Sequence, residues 1–193
     1  MKVWPDTDDA ALAAVAAVLG RGGIALLPTD TIYGLHADAT NDAAVARIAD
    51  LKGRGDDKPF VVIAASADQL RGFGADVPAA LDELWPAPLT AVMRRGAGTV
   101  AARVPDLDWM RRLLAKTGPL VSTSANRSGD PPISSIVELA KEVAEGVEVA
   151  IDTGRRDGKP STIVDFTSSS PRILREGDPL FAQSLRKSLR ISL

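Results

Sequence analysis

Between Pro119 and Pro132 the chain reads PLVSTSANRSGDPP, which sets the hydroxyls of Ser122, Thr123, Ser124 and Ser128 and the amide of Asn126 between an apolar run and a Gly/Pro turn. A serine becomes a nucleophile when an adjacent base activates it. No base stands nearby: the sequence has no cysteine and one histidine, His36, far off in the chain. The chemistry open to hydroxyls and amides alone is hydrogen bonding, to phosphate oxygens or to an adenine or ribose edge. The competing reading is a turn that satisfies its own backbone, a common use of Ser, Asn and Gly. A second cluster is cationic: Lys52, Arg54 and Lys58 crowd the loop LKGRGDDKP. Cations at a helix end can simply complement its dipole and stay solvated. Yet the glycine between Lys52 and Arg54 also lets backbone approach a ligand while both heads reach one anion.

Other motifs fail. No segment fits the phosphate loop G-x-x-x-x-G-K-[ST], since Lys58 is followed by Pro59 and proline disfavours a helix start in that register. SLRK (184–187) and KTG (116–118) imitate penicillin-binding motifs, but in reversed order and without S-D-N between them. With no second histidine or cysteine to complete a metal site, His36 reads as structural or solvent-facing. The acidic residues are scattered through caps and turns, so no carboxylate dyad is evident.

These side chains need a scaffold. Leu12, Val15, Ala16 and Leu19 recur at helical spacing behind the candidate caps Asp6 and Thr7, and Gly20, Gly22 and Gly23 end the run. Ile24 to Leu27 reads as a buried strand stopped by Pro28, with His36 beyond it. Asn41 or Asp42 caps a second helix with Val45, Ile48 and Leu51 on one face. FVVIAA is a strand, Pro78 opens a helix to Leu84, LTAVMRR and TVAARV are strands, and Trp109, Met110, Leu113 and Leu114 form an apolar helix face. PLVSTS is a strand that ends in the hydroxyl cluster, Ser134 or Ser135 caps a helix to Glu145, and VAI, STIVDF and PRILRE are strands. Leu180, Phe181, Leu185 and Leu189, opposite Arg186, Lys187 and Arg190, predict an amphipathic C-terminal helix packing on its own domain. Some strands are joined by helices, while those around 89–104 and 161–175 are joined by short loops. The expected fold is therefore one α/β domain over 1–193 with a sheet mixing parallel and antiparallel pairs.

Composition narrows the class. With 45% apolar and 25% charged residues the chain is outside the disordered range. A formal charge of −2 gives no global attraction to nucleic acid or anionic membrane, so an anion site has to be built locally. Lack of cysteine excludes disulfides, thiolate nucleophiles and sulfur-held metals, and favours a cytoplasmic protein. The apolar stretch DDAALAAVAAVLGRGG lacks a basic leader and is too short to span a bilayer.

Six segments, PTDTIYGLHADA, LKGRGDDKPF, LWPAPLTAVM, TVAARVP, VSTSANRSGDPP and STIVDF with RILREG, stand in the order found in the YrdC family. The chain resembles that family from about Gly22 to Gly177, with 178–193 as a C-terminal tail or helix. The resemblance implies a YrdC-like twisted sheet with flanking helices around a large concave basic site. It implies an L-threonylcarbamoyladenylate synthase, a nucleotidyltransferase making threonylcarbamoyl-AMP and pyrophosphate from L-threonine, bicarbonate and ATP with Mg²⁺. The product would feed a threonylcarbamoyl transferase complex that makes t6A beside tRNA anticodons. By motif, Thr31, Arg103, Ser122 and Ser161 correspond to threonine contacts, and Lys52, Arg54, Lys58, Thr99, Ser124, Asn126, Pro132 and Arg175 to ATP contacts. Lys52 and Arg54 (KxR) with Ser124 and Asn126 (SxN) are the expected catalytic set. The metal ligands are unassigned. Departures from the family pattern are Gly55 after KxR, Ala87 in WPAP, Pro132 in place of a small polar residue, and Ile63 where longer members often carry a histidine. Two other readings share the fold: a double-stranded RNA-binding or ribosome-maturation protein, disfavoured by 4% aromatic content and net acidity, and a nucleotide-binding paralogue with another substrate.

Overall fold

The computed structural model describes residues 1–5, 8–53 and 60–191. Ten strands form one sheet in the order β1-β8-β2-β3-β7-β4-β6-β5-β9-β10: β1 Lys2–Trp4, β2 Ala25–Pro28, β3 Tyr33–Asp38, β4 Val61–Ile63, β5 Leu89–Arg95, β6 Gly98–Arg103, β7 Leu120–Ser124, β8 Val149–Ile151, β9 Thr162–Asp165 and β10 Arg172–Arg175. Parallel pairs (β1·β8, β2·β8, β4·β6, β5·β9) mix with antiparallel ones (β2·β3, β3·β7, β4·β7, β5·β6, β9·β10), the mixture expected from the alternation of helical and short connections.

Strand β2 shows why the sheet reads as apolar runs. Ala25 and Leu27 face a cluster built on α1 (Asp9–Gly20) and α5 (Asp108–Thr117), with Trp109, Met110, Leu113 and Leu114 all buried there. Ile24 and Leu26 face the opposite cluster with Ala44 and Ile48 of α2 (Asp42–Lys52) and Val143 of α6 (Lys141–Gly146). A strand covered on both faces has no polar side, hence IALL instead of alternation. A third cluster packs α3 (Ala67–Gly72), α4 (Ala80–Leu84) and α7 (Pro179–Leu189) on β5, β6 and β9.

Caps place the helices. The α1 cap is Asp8, whose carboxylate accepts the Ala11 amide at 2.7 Å; the anticipated caps Asp6 and Thr7 lie outside the described residues. Asn41 caps α2 by accepting the Ala44 amide at 3.1 Å, and Gly53, left-handed at φ 57°, ends it right after Lys52. Such a C-cap is where glycine is favoured. At the C-terminus α7 packs on its own domain through Ala182 and Leu185, but Leu180 is 79% exposed and lies off the anticipated apolar face.

Two local expectations are corrected, and two elements, β1 and α3, were not anticipated. His36 lies inside strand β3, paired with Ala25 on one side and Ser122 on the other, and does not follow a strand. Gly34 and a central histidine weaken the β signal of YGLHAD. The short β1 and the polar α3 gave no usable periodicity. The helix expected from Ser134 or Ser135 to Glu145 is broken: a 3-10 turn at Ile136–Glu138 is followed by extended Leu139 and Ala140 before α6 begins. Ser135 makes no capping bond. Glu138 instead accepts the Ser134 amide at 2.8 Å and Arg155 at 3.3 Å, and the break lets Ile136, Leu139 and Ala140 all pack on the core.

Candidate active site

One cavity of about 440 Å³ opens where β3, β7, β6 and β9 converge, lined by Thr29, Thr31, Ile32, Tyr33, Gly34, Val61, Thr90, Arg103, Ser122, Thr123, Ser124, Pro132, Pro160, Ser161, Ile163 and Arg175. Its first wall is the turn between β2 and β3. The Thr29 hydroxyl accepts the amides of Thr31 and Ile32, each at 3.2 Å, and donates to the Ile32 carbonyl at 2.7 Å. With that proton committed, the 3.0 Å contact between the two hydroxyls runs from Thr31 to Thr29, and Arg103 Nη1 donates to Thr31 Oγ1 at 3.2 Å. The chain of bonds fixes the Thr31 hydroxyl.

Arg103 stands at the end of β6 with 5% of its side chain exposed, 3.2 Å from Asp30, whose side chain is 8% exposed. Burial lowers the Arg103 pKa; Asp30 opposes this and the charge of Arg175 adds to it. Two guanidinium groups thus line one cavity, and Asp30 pairs with that of Arg103. Arg175, on β10, donates to the Ser161 carbonyl at 2.9 Å, and burial lowers its pKa as well. Ser161 Oγ lies 2.8 Å from Thr90 Oγ1.

The third wall is β7. Alternation puts Ser122 and Ser124 on one face, opposite His36 and Gly34 of β3. Ser122 Oγ is 3.2 Å from His36 Nε2. His36 is fully buried, and its pKa is held at about 3, chiefly by burial and further by the charge of Arg103, partly offset by backbone carbonyls of Gly34 and Ala25. The imidazole is therefore neutral at ordinary pH. An unfolded chain binds a proton below pH 6.5 that the folded chain refuses until about pH 3, so this histidine contributes a loss of about 1.4 kcal/mol of stability per pH unit as pH falls through that window. Urea unfolding of wild type and of His36→Phe at pH 7 and pH 5 should show the wild type losing about 2 kcal/mol more; equal losses would contradict it.

Lys52 takes another position. It is 4% exposed, and its ammonium donates to the Ser124 carbonyl at 2.7 Å, the Asn126 carbonyl at 2.6 Å and Asn126 Oδ1 at 3.3 Å. Asn126 Nδ2 donates to the carbonyls of Arg127 (2.9 Å) and Asp130 (2.6 Å), and the Ser128 amide donates to Lys52 O at 2.9 Å. The KxR and SxN motifs are thus joined directly, with Lys52 and Asn126 behind the cavity wall that Ser124 presents.

Of the residues matched by motif, Thr31, Arg103, Ser122, Ser124, Ser161, Arg175 and Pro132 line the one cavity. Thr99 is an exposed residue of β6 opposite Arg94 and is not part of the lining. Arg54 and Lys58 lie outside the described residues. Ile63 is fully buried in the α1/α5 core and does not reach the site. Sequence reading missed Asp30, Thr29 and the segment 153–160, which packs against Thr29, Thr31 and Tyr33 and contributes Pro160 to the lining. Tyr33 Oη donates to the Gly154 carbonyl at 2.7 Å and accepts the Thr153 amide at 3.0 Å, and Arg156 donates to the Thr29 carbonyl at 3.2 Å. One signal for Asp30 was available: a buried arginine needs a buried carboxylate, and Asp30 adjoins Thr31.

Gly158 meets Thr31 backbone so closely that an added Cβ would lie 2.1 Å from the Thr31 carbonyl oxygen. Neither partner is a flexible side-chain end. Gly158→Ala is expected to cost about 1–3 kcal/mol, as overpacking does, and to displace Thr31 enough to weaken binding at this wall about tenfold, checked by thermal unfolding and ligand titration.

Among the described residues no group of three His, Cys, Asp or Glu side chains is placed to hold a metal, and no helix is long and apolar enough to cross a membrane.

A ten-stranded mixed sheet closing over a cavity of hydroxyls and arginines defines the architectural class. The chain belongs to the Sua5/YciO/YrdC family, whose model, described as "Telomere recombination", matches residues 17–177. It is similar to the threonylcarbamoyl-AMP synthase of Chromohalobacter salexigens, 38% identical over 178 residues covering 84% of this chain and 96% of that one, and to that of Vibrio cholerae, 34% identical over 178 residues covering 82% and 93%. Among solved structures, P. abyssi Sua5 complexed with L-threonine superposes with a TM-score of 0.86 at 31% identity, covering 97% of this chain and 59% of that chain. E. coli YciO superposes with a TM-score of 0.79 at 21% identity, covering 91% and 93%, a likeness of fold.

Proposed function

We propose that this chain is an L-threonylcarbamoyladenylate synthase. The observation that carries the reading is the cavity wall: Thr31, Ser122, Ser124 and Ser161 with Arg103 and Arg175, a set suited to binding and neutralising anions. The fold does bring a base to Ser122, contrary to the expectation from the sequence, but His36 with its pKa held at about 3 is too weak a base to activate that hydroxyl. The arrangement suits a reaction whose nucleophile comes from a substrate. The threonine amine and bicarbonate give N-carboxythreonine and water; its carboxylate oxygen attacks the α-phosphorus of ATP, the bond from that phosphorus to the bridging oxygen breaks, and pyrophosphate leaves with the electron pair. What phosphoryl transfer asks of the protein is alignment and charge neutralisation. Arg103 and Arg175, which line the cavity, would supply the cations.

Mg²⁺ enters with ATP. Asp30, the carboxylate beside the cavity, is taken by Arg103, so triphosphate oxygens and water would supply most of the ligands, the habit of this ion. The product is a labile mixed anhydride, and its consumer would be a transferase acting on tRNA in the cytoplasm.

Incubating the protein with ATP, L-threonine and bicarbonate should release pyrophosphate only when all three are present, and mass spectrometry should detect threonylcarbamoyl-AMP. Pyrophosphate release independent of threonine, or its absence under these conditions, overturns the reading.

A further inference from the structure

We propose that His36 is a positioning residue: from beneath the cavity floor it fixes the Ser122 hydroxyl in the orientation that meets the amino-acid substrate. The proposal rests on the function inferred above. In the β3·β7 ladder His36 stands directly opposite Ser122, and the hydroxyl that lines the cavity is 3.2 Å from His36 Nε2. The ring is not merely core filling. It leans along β3 into the space over Gly34, where a Cβ would come within 2.9 Å of His36 Cε1 and 3.3 Å of Nε2. Gly34 and Ser122 both line the cavity, so the imidazole lies one layer below the surface a ligand would touch, in room that a glycine leaves free. The one side chain it hydrogen-bonds among the described residues is Ser122, while backbone carbonyls of Gly34 and Ala25 act on the ring and Nδ1 has no partner of good geometry there. A fully buried polar ring whose one side-chain partner among the described residues is a cavity hydroxyl is placed to hold that hydroxyl.

The form of the ring matters. A neutral imidazole can donate to or accept from a hydroxyl, whereas an imidazolium can only donate. Burial, with Arg103 nearby, keeps His36 neutral. With one direction of Ser122 tied to the ring, its remaining hydrogen-bonding capacity faces the cavity without a rotamer search, which is the benefit of an ordered supporting group.

His36 is the only histidine in the sequence, so a histidine-selective ¹⁵N spectrum of untagged protein reads this ring alone. In the absence of ligand, Ser122→Ala should move the Nε2 resonance and leave Nδ1 nearly unchanged. Titrating wild type with L-threonine should move Nε2 again, and Ser122→Ala should abolish that response. In kinetics, His36→Phe should raise the KM for L-threonine about tenfold, the scale of one hydrogen bond, with the KM for ATP unchanged, and combining it with Ser122→Ala should be no worse than either alone.

An Nε2 resonance indifferent to Ser122→Ala removes the contact and the proposal with it, whatever the protein binds. Backbone amides of Thr31 and Ser161 responding to threonine while Nε2 stays still leaves the function standing and overturns the role of His36. If no resonance responds to threonine, the functional reading and this role fall together. Should His36→Phe fail to fold, the two spectroscopic arms decide.

Discussion

Arg103→Ala is expected to lose about 3–5 kcal/mol of folding stability together with all threonine-dependent pyrophosphate release. The stability loss follows from what is left behind. The Asp30 side chain is 8% exposed, its oxygens make no hydrogen bond of good geometry among the described residues, and Arg103 at 3.2 Å is an ion-pair partner. Removing one member of such a pair strands the other charge in a site that cannot hydrate it, and that penalty, more than the attraction lost, sets the magnitude. The activity loss follows from Thr31, whose hydroxyl is oriented by Arg103 at 3.2 Å. Adding Asp30→Asn to Arg103→Ala separates the two effects. Urea unfolding should recover part of the stability because the stranded charge is gone, and activity should stay absent because the cation still is. Arg103→Ala with wild-type stability would show that the pair is hydrated.

Lys52→Met should cost roughly 3 kcal/mol and lower kcat/KM by tenfold or more. Methionine fills similar volume, so the loss is one of hydrogen bonds. Three acceptors, the carbonyls of Ser124 and Asn126 and the Asn126 amide oxygen, lose their shared ammonium donor at a position 4% exposed. Bonds to a charged donor contribute about 1.5–3 kcal/mol each and are not additive when one atom serves them all. The turn after β7 would then loosen, carrying Ser124 out of register with Ser122. Hydrogen exchange over 124–130 should rise in Lys52→Met while exchange in α5 stays as it is. Unchanged exchange with lost activity would instead place Lys52 in direct contact with substrate.

Much of the scaffold was legible because burial on both faces turns strands into apolar runs: IALL, VVI, VAI and LTAVM needed no alternation to be seen. The same reasoning failed for β3, where Gly34 and His36 interrupt the run for the sake of the cavity. Helices with a long apolar stripe, such as α5, were readable; the Ile136–Glu138 turn was not, because Glu138 is held by Arg155, 17 residues on. In the site, residue types pointed to anion binding, and family resemblance named seven positions that line one cavity, together with Thr99, which does not. What neither could give was which polar group satisfies which. Lys52 reaches Ser124 across 72 residues, and Gly158 abuts Thr31, pairings that exist only once the sheet has closed.

Strand β7 carries a consequence for how the molecule folds. Among the described residues it is the join between two half-sheets, with β3 on one side and β4 on the other, in antiparallel register with both. Neither half can be stitched to the other until residues 120–124 emerge and insert, and such pairings across long stretches of chain form slowly. The insertion that unites the halves therefore delivers Ser122 and Ser124 to the cavity wall in the same step, and the site is complete only when β9 and β10 follow with Ser161 and Arg175.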